Sequence, residues 1–155
     1  MKYVRAIGKA ERHKNEIVRV YGAFQDITDE THRNQELKNT RSKYDELYET
    51  ITSPIVVCSS ESNGKFIIKE VNCAGESIFS MKRDELKGKD ILDFLPEGDG
   101  SFKDLYINVK KTGQPGHMVT YGSANDFFNG IYEINVYMLP CGEIVSLFSK
   151  INEDN

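Results

Sequence analysis

The chain has 155 residues, 39% of them hydrophobic, and a net charge of −4 at pH 7, which suits one domain, or one domain with a fragment of another. The negative charge argues against nucleic-acid binding through phosphate neutralisation, and no apolar run approaches the roughly 20 residues of a membrane span. Because the three cysteines show no CxxC spacing, we expect a reduced, cytoplasmic setting, and from the first residues we expect no signal peptide.

Residues 3–27 are predicted to form a β-hairpin. Tyr3–Ile7 and Ile17–Tyr21 are strand-like, and the polar residues 13–16 between them suit a turn. An isolated hairpin is only marginally stable in water. We therefore expect this segment to pair with another chain, to pack on the following domain, or to be poorly ordered.

Residues 29–52 are predicted to form a linker helix, because Asp29 and Glu30 suit a first helical turn. Apolar or aromatic side chains recur at heptad positions a, a, d and a over little more than two heptads. These side chains are Leu37, Tyr44, Leu47 and Ile51. Two interpretations stay open: an amphipathic helix lying on its own domain, or a signalling helix that pairs with its copy in a homodimer.

Two strands are predicted after the linker helix. Ser53-Pro54 ends the helix, because proline disfavours a helical conformation in the residue before it. Ile55–Cys58 and Phe66–Val71 are strand-like, and Asn63-Gly64 between them suits a tight turn. The main domain therefore begins with an antiparallel pair of strands.

Short helical segments follow the second strand. Asn72 suits the N-cap of the first, Gly88 ends the second, and Asp90 is expected to cap an apolar turn that reaches Leu95. Residues 102–112 show the i, i+3, i+4, i+7 apolar spacing of a longer helix with one buried face.

The remainder is predicted to be strand, separated by turns and loops. The predicted strands are Met118–Tyr121, Gly130–Leu139 and Ile144–Ile151. Polar loops are predicted at 97–100 and 122–126.

Four short motifs carry a resemblance to a known family. They are Val71-Asn72, Asp84-Glu85-Leu86, Gly88-Lys89 and Asp93-Phe94-Leu95-Pro96. Together with the order of two strands, helices and three strands, they resemble a PAS domain over about residues 44–151. The resemblance implies an α+β fold, in which a five-stranded antiparallel sheet carries helices on one face.

The chain is also expected to contain a fragment of a second domain. Asp26-Ile27-Thr28 resembles the end of another PAS domain. The expected division is therefore a C-terminal hairpin of a preceding PAS domain at 1–28, a linker helix at 29–52 and a PAS domain at 53–152. We expect the chain to be a segment of a longer protein.

The resemblance implies a non-catalytic sensory module of a cytoplasmic multidomain signalling protein, with a sensor histidine kinase as the expected parent. The expected partners are a second copy of the chain and the neighbouring PAS and output domains. A small apolar or amphipathic ligand, if there is one, would bind between the sheet and the helix at 102–112. The candidate ligand-binding residues are Val57, Ile68, Asn72, Phe79, Ile91, Leu105, Val119, Tyr121, Tyr132 and Ile134. The alternative is a ligand-free structural dimerisation domain.

Catalytic, haem, covalent flavin and metal sites are not indicated. None of the three histidines lies in the sequence pattern of a kinase phospho-acceptor, and residues 102–112 contain no histidine that could bind haem iron. Ile91 occupies the position of the reactive cysteine in flavin-binding photosensory PAS domains. Haem and covalent flavin are therefore disfavoured, and the identity of any cofactor stays open.

Overall fold

The computed structural model describes residues 1–95, 101–122 and 129–152. The loop predicted at 97–100 and residues 123–126 of the next predicted loop lie outside the described residues. The chain divides into two compact units, Met1–Glu46 and Leu47–Asn155.

The first unit contains the predicted hairpin. Strand β1 (Val4–His13) pairs antiparallel with β2 (Glu16–Asp26). The two residues between them, Lys14 and Asn15, have φ angles of 46° and 72°. Positive φ at both positions matches the right-handed twist of a two-residue hairpin. The hairpin is confirmed, and the residues of both strands are exposed.

Helix α1 (Thr28–Thr50) follows directly and agrees with the predicted linker helix to within two residues at each end. The Asp26 carboxylate accepts hydrogen bonds from the N–H group (3.0 Å) and the hydroxyl group (2.6 Å) of Thr28. These two bonds hold the pKa of Asp26 below its usual value. The Thr28 hydroxyl oxygen also accepts from the N–H of Tyr3 at 3.0 Å, so the start of α1 is bonded to the end of β2 and to the residue before β1.

The second unit contains a five-stranded antiparallel sheet, as predicted. Its strands are β3 (Ile55–Ser60), β4 (Phe66–Val71), β5 (Gly116–Gly122), β6 (Gly130–Met138) and β7 (Ile144–Ile151). The order across the sheet is β4-β3-β7-β6-β5. The helices cover one face of it, so each strand has an inner and an outer row of side chains.

The helices on this face are short except for the last. They are α2 (Cys73–Phe79), α3 (Arg83–Leu86), a 3₁₀ turn (Ile91–Phe94) and α4 (Ser101–Thr112). Asn72 caps α2, and Asp90 caps the 3₁₀ turn by accepting from the N–H of Leu92 at 3.2 Å. Gly113 ends α4 with a φ of +68°, a conformation that glycine adopts without strain. The predicted caps and the predicted end of the long helix are confirmed.

The core lies between the helices and the inner row of the sheet, and aromatic rings fill much of it. The centroid of the Phe79 ring lies 5.6 Å from that of Phe94 and 6.1 Å from that of Phe148. The Tyr106 ring on α4 lies 5.0 Å from Phe66, and its hydroxyl is 2.6 Å from the hydroxyl of Ser146 on β7. This buried polar contact joins the longest helix of the unit to the centre of the sheet.

Candidate functional site

The structure places the residues predicted to bind a ligand in different environments. Four of them are completely buried in the core: Ile68, Phe79, Ile91 and Ile134. Leu105 and Tyr132 are partly buried and pack against the same core. Val57 is buried but lies outside this core cluster, between the core residues Val56 and Cys58. Because successive side chains of a strand point to opposite faces, Val57 points towards the outer row of the sheet.

Val119 and Tyr121 lie on the outer face of the sheet, contrary to the sequence-based prediction. Their exposed fractions are 41% and 74%. The reason is the register of β5, in which Met118 pairs with the inner-row residue Ile134. Successive side chains of a strand point to opposite faces, so the neighbours of Met118 point away from α4.

The Asn72 side chain is hydrogen-bonded through both its oxygen and its nitrogen. It is 0% exposed. Its side-chain oxygen accepts from the N–H groups of Ile55 and Gly75, both at 2.9 Å. The first bond fixes the start of β3 and the second caps α2, because the first N–H groups of a helix lack partners within it.

The amide nitrogen of Asn72 faces the end of α1. It lies 3.1 Å from the carbonyl oxygen of Tyr48, 3.3 Å from that of Ile51 and 3.1 Å from that of Ser53. The last carbonyl groups of a helix also lack partners within it. One buried amide therefore joins the end of α1, the start of β3 and the start of α2; we call this arrangement the Asn72 junction.

A charged cluster lies beside the Asn72 junction. The Arg83 guanidinium contacts the Glu49 carboxylate at 2.6 and 3.3 Å, and it also lies 3.4 Å from a carboxylate oxygen of Glu76. Glu49 belongs to the last turn of α1, Glu76 belongs to α2 and Arg83 belongs to α3. We call this cluster the Glu49–Arg83 clasp.

The clasp changes the proton affinity of its members. Hydrogen bonds from Arg83 and from Cys73 lower the pKa of Glu49 to about 2. The N–H of Cys73 donates to Glu49 at 2.9 Å, and the nearby carboxylate raises the pKa of the Cys73 thiol. A raised pKa keeps this thiol protonated at neutral pH, which is unfavourable for a nucleophile. The cluster is therefore suited to holding elements together.

Among the grooves formed by described residues of the second unit, two adjoin α2. One has a volume of about 500 Å³ and is lined by Cys73, Glu76, Ser77, Ser80, Met81, Lys82 and Glu85. The other, which we call the linker groove, has a volume of about 420 Å³ and includes residues 52–54 between α1 and β3. Its remaining lining residues are Ala74, Ser77, Ile78, Tyr132, Phe148, Ser149 and Lys150.

The four linker-helix positions are on the surface. The exposed fractions are 69% for Leu37, 53% for Tyr44, 57% for Leu47 and 42% for Ile51, which follows the last residue of α1. In the described ranges, no group of three or more His, Cys, Asp or Glu side chains is placed to hold a metal ion. The helices that the structure describes include none with both the length and the apolar character to cross a membrane.

The sequence matches the family model of the PAS fold over residues 42–122, which are 81 of the chain's 155 residues. No curated protein matches it significantly.

Solved structures with the same fold come from several organisms. A domain of a sensory box sensor histidine kinase/response regulator from Geobacter sulfurreducens is 22% identical, with a TM-score of 0.58, over 74% of this chain and 96% of that one. The PAS domain of an HTR-like protein from Haloarcula marismortui is 18% identical (TM-score 0.61; 78% and 99% covered). The PAS domain of nitrogen regulation protein NR(II) from Vibrio parahaemolyticus is 12% identical (TM-score 0.54; 69% and 96% covered).

Proposed function

The chain belongs to the PAS family, and on that premise we propose that it is a non-catalytic sensory and signal-transmission module of a cytoplasmic multidomain protein, a sensor histidine kinase. The observation that carries this proposal is the Asn72 junction. A signalling module needs a physical connection between the part that senses and the part that leaves the domain. Here one fully buried amide holds the end of α1 to the sheet and to α2.

Signal transmission would be a shift between two packings of this junction. A stimulus that favours one arrangement of β3 and α2 changes which carbonyl groups at the end of α1 the Asn72 amide can reach. A stimulus shifts an equilibrium only as far as it interacts differently with the two states. The connection between the sheet and the end of α1 therefore has to be tight. The Glu49–Arg83 clasp adds a second connection between α1 and the helices of the sheet.

The exposed positions of α1 support pairing of two copies through this helix. Leu37, Tyr44 and Leu47 recur at heptad spacing and are all more than half exposed. Apolar side chains at such spacing are typical of a helix that packs against a partner helix. The proposed state is therefore a homodimer, in which the relative position of the two α1 helices carries the signal.

The hairpin supports the presence of a preceding PAS domain. Residues opposite each other in an antiparallel pair share a face, and one face of this hairpin holds Val4, Ala6, Val20 and Phe24. The Phe24 side chain is 81% exposed. We infer that the remaining strands and helices of that domain cover this face in the parent protein.

Replacing Leu37 and Leu47 with glutamine tests the signalling helix. We expect the double variant to lose dimerisation in sedimentation analysis, and the parent protein carrying it to change its kinase output. Glu36→Gln with Lys38→Gln is the matched control, because it changes two neighbouring surface positions outside the a and d positions and keeps the net charge. Unchanged dimerisation and unchanged output in the leucine variant would refute this role of α1.

A ligand-free dimerisation domain is the second candidate function, and the packed aromatic core favours it. Phe66, Phe79, Phe94 and Phe148 make ring contacts in the region where a ligand was expected. Native mass spectrometry beside a denatured control distinguishes the two functions. An extra mass that is lost on denaturation supports sensing, whereas a dimer without added mass supports the structural role.

A further inference from the structure

The linker groove combines an apolar floor with one positive charge. Ile78, Tyr132, Pro54 and Ala74 supply apolar side chains to the groove, and the segment 52–54 forms a wall of it. Lys150 is the only charged side chain among its described lining residues. The groove volume of about 420 Å³ lies within the range of roughly 300–1,000 Å³ that is typical of small-molecule sites.

Lys150 is available to a ligand. It lies at the exposed end of β7, opposite Tyr132 on β6. Within the part of the chain that the structure describes, it forms no salt bridge. The Cε and Nζ atoms of Lys150 lie 3.1 and 3.7 Å from where a Cβ of residue 130 would be. Gly130 therefore leaves room for the lysine chain to lie across β6.

Hydroxyl groups supply the remaining polar atoms of the groove. The side chains of Thr52 and Ser53 make no hydrogen bond to another described residue. A hydroxyl group can donate to an anion or accept from a neutral polar group. One lysine with nearby hydroxyl groups matches a single negative charge better than a phosphate dianion, which usually requires several donors or arginines.

The other groove has the opposite character. Its lining includes the carboxylates of Glu76 and Glu85 with one lysine, Lys82. Glu76 is already held by Arg83, and Glu85 accepts from the N–H of Lys82 at 3.1 Å. Because two carboxylates and one lysine line this surface, it attracts an anion less than the linker groove does. The charge difference between the grooves therefore selects the linker groove for an anionic ligand.

From these features we propose that the linker groove binds a small amphipathic carboxylate, with its apolar part against Ile78 and Tyr132 and its carboxylate at Lys150. The proposal rests on the sensory function proposed above and assigns the chemical class of its ligand. It also moves the ligand site from the packed interior beside α4 to the connection between α1 and β3.

Binding in this groove would reach the Asn72 junction directly. Ser53 lines the groove, and its carbonyl oxygen accepts from the Asn72 amide at 3.1 Å. A ligand that contacts residues 52–54 favours one conformation of this segment. The same segment follows the end of α1. Ligand binding and the position of the helix end therefore both depend on the hydrogen bonds of the Asn72 amide.

The test is an amide chemical-shift titration of the ¹⁵N-labelled chain with decanoate, kept below its micelle-forming concentration. We expect shifts in the amides of Thr52, Ser53 and residues 74–78 and 148–150. Decanol and decylamine, which have the same chain without the negative charge, should bind more weakly. Lys150→Met should weaken decanoate binding about fivefold, as expected for loss of one partly solvated ionic contact, and Lys150→Arg should retain it.

Two further variants make the test decisive. Ala74→Met places a larger side chain in the groove and should abolish binding, whereas Lys69→Met removes a lysine on β4 outside it and should have no effect. The proposal is wrong if decanoate causes no shifts, if the shifts lie outside the groove, or if Lys150→Met and Ala74→Met bind as well as the unmodified chain. Such a failure would leave the signalling role untouched if the α1 variants still altered kinase output.

Discussion

Replacing Asn72 with alanine should destabilise the second unit strongly. The alanine side chain removes the acceptor for two buried N–H groups, those of Ile55 and Gly75. It also removes the donors to three carbonyl groups at the end of α1, but those contacts are only partly buried, so water can replace them.

The two N–H groups determine the size of the effect. A buried donor left without a partner costs about 1–3 kcal/mol, and loss of an N-cap costs about 1 kcal/mol on its own. Because the bond to Gly75 is that N-cap, the two figures overlap. We expect the free energy of unfolding to fall by about 3 kcal/mol, which is a large share of the stability of a small domain.

Urea unfolding followed by far-ultraviolet circular dichroism measures the total loss, and amide hydrogen exchange locates it. The Ile55 and Gly75 amides should lose protection in the alanine variant. Asn108→Ala is the matched control, because Asn108 is exposed on α4 and its replacement should change stability by less than about 0.5 kcal/mol.

The variant Asn72→Asp tests the acceptor role of the Asn72 side chain separately from its donor role. Aspartate keeps the oxygen that accepts from Ile55 and Gly75, but when ionised it places a charge beside three carbonyl oxygens. Protonation restores one donor, so this variant should recover stability relative to the unmodified chain as the pH falls. An alanine variant that loses less than about 1 kcal/mol, with the Ile55 amide still protected, would refute the reasoning.

Other predictions concern the clasp, the core and the thiols. Glu49→Gln should lower stability by about 1 kcal/mol at pH 7, because the ion pair is partly exposed. The native carboxylate has its pKa lowered from 4.5 to about 2, so it stabilises the fold above pH 4.5, and urea unfolding should show this difference disappearing as the pH falls towards 2. Tyr106→Phe leaves the hydroxyl of Ser146 buried without its partner and should cost about 1–2 kcal/mol, while adding Ser146→Ala should recover part of that loss in the same assay. Iodoacetamide at pH 8 should modify Cys73 more slowly than Cys141 by peptide mass mapping, since Glu49 raises the thiol pKa of Cys73; equal rates, or no acceleration by Glu49→Gln, would contradict this.

Much of the fold could be predicted from local sequence signals. Asn72 and Asp90 precede apolar turns and act as caps, as such residues do when their side chains accept from the next turn. Tyr132 and Ile134, two candidate ligand-binding residues of the predicted strand Gly130–Leu139, both lie on the inner row of β6. Each of these features depends on neighbours only a few residues away.

The inner and outer rows of β5 could not be predicted in the same way. The predicted strand Met118–Tyr121 contains no clear alternation of apolar and polar side chains, because Met118, Val119 and Tyr121 are all apolar or aromatic. A change of one residue in register exchanges the two faces of a strand. Only the pairing with β6 places Val119 and Tyr121 outside.

The Glu49–Arg83 clasp and the linker groove also lay beyond sequence reasoning. Glu49 and Arg83 are 34 residues apart, and no spacing rule relates charged residues at that distance. Lys150 reaches the groove only because β7 lies beside β6 and the groove wall comes from residues 52–54. The one signal available was Asn72, whose cap position was predicted although its contacts with α1 were not.

The coupling between α1 and the sheet is tested most directly by a charge exchange in the full-length parent protein. The variants are Glu49→Arg, Arg83→Glu and the two together, each compared at equal protein level with the unmodified protein. If the clasp transmits the signal, each single variant changes the kinase output and the double variant restores it towards the unmodified level. Folded single variants whose output equals that of the unmodified protein would contradict transmission through this contact.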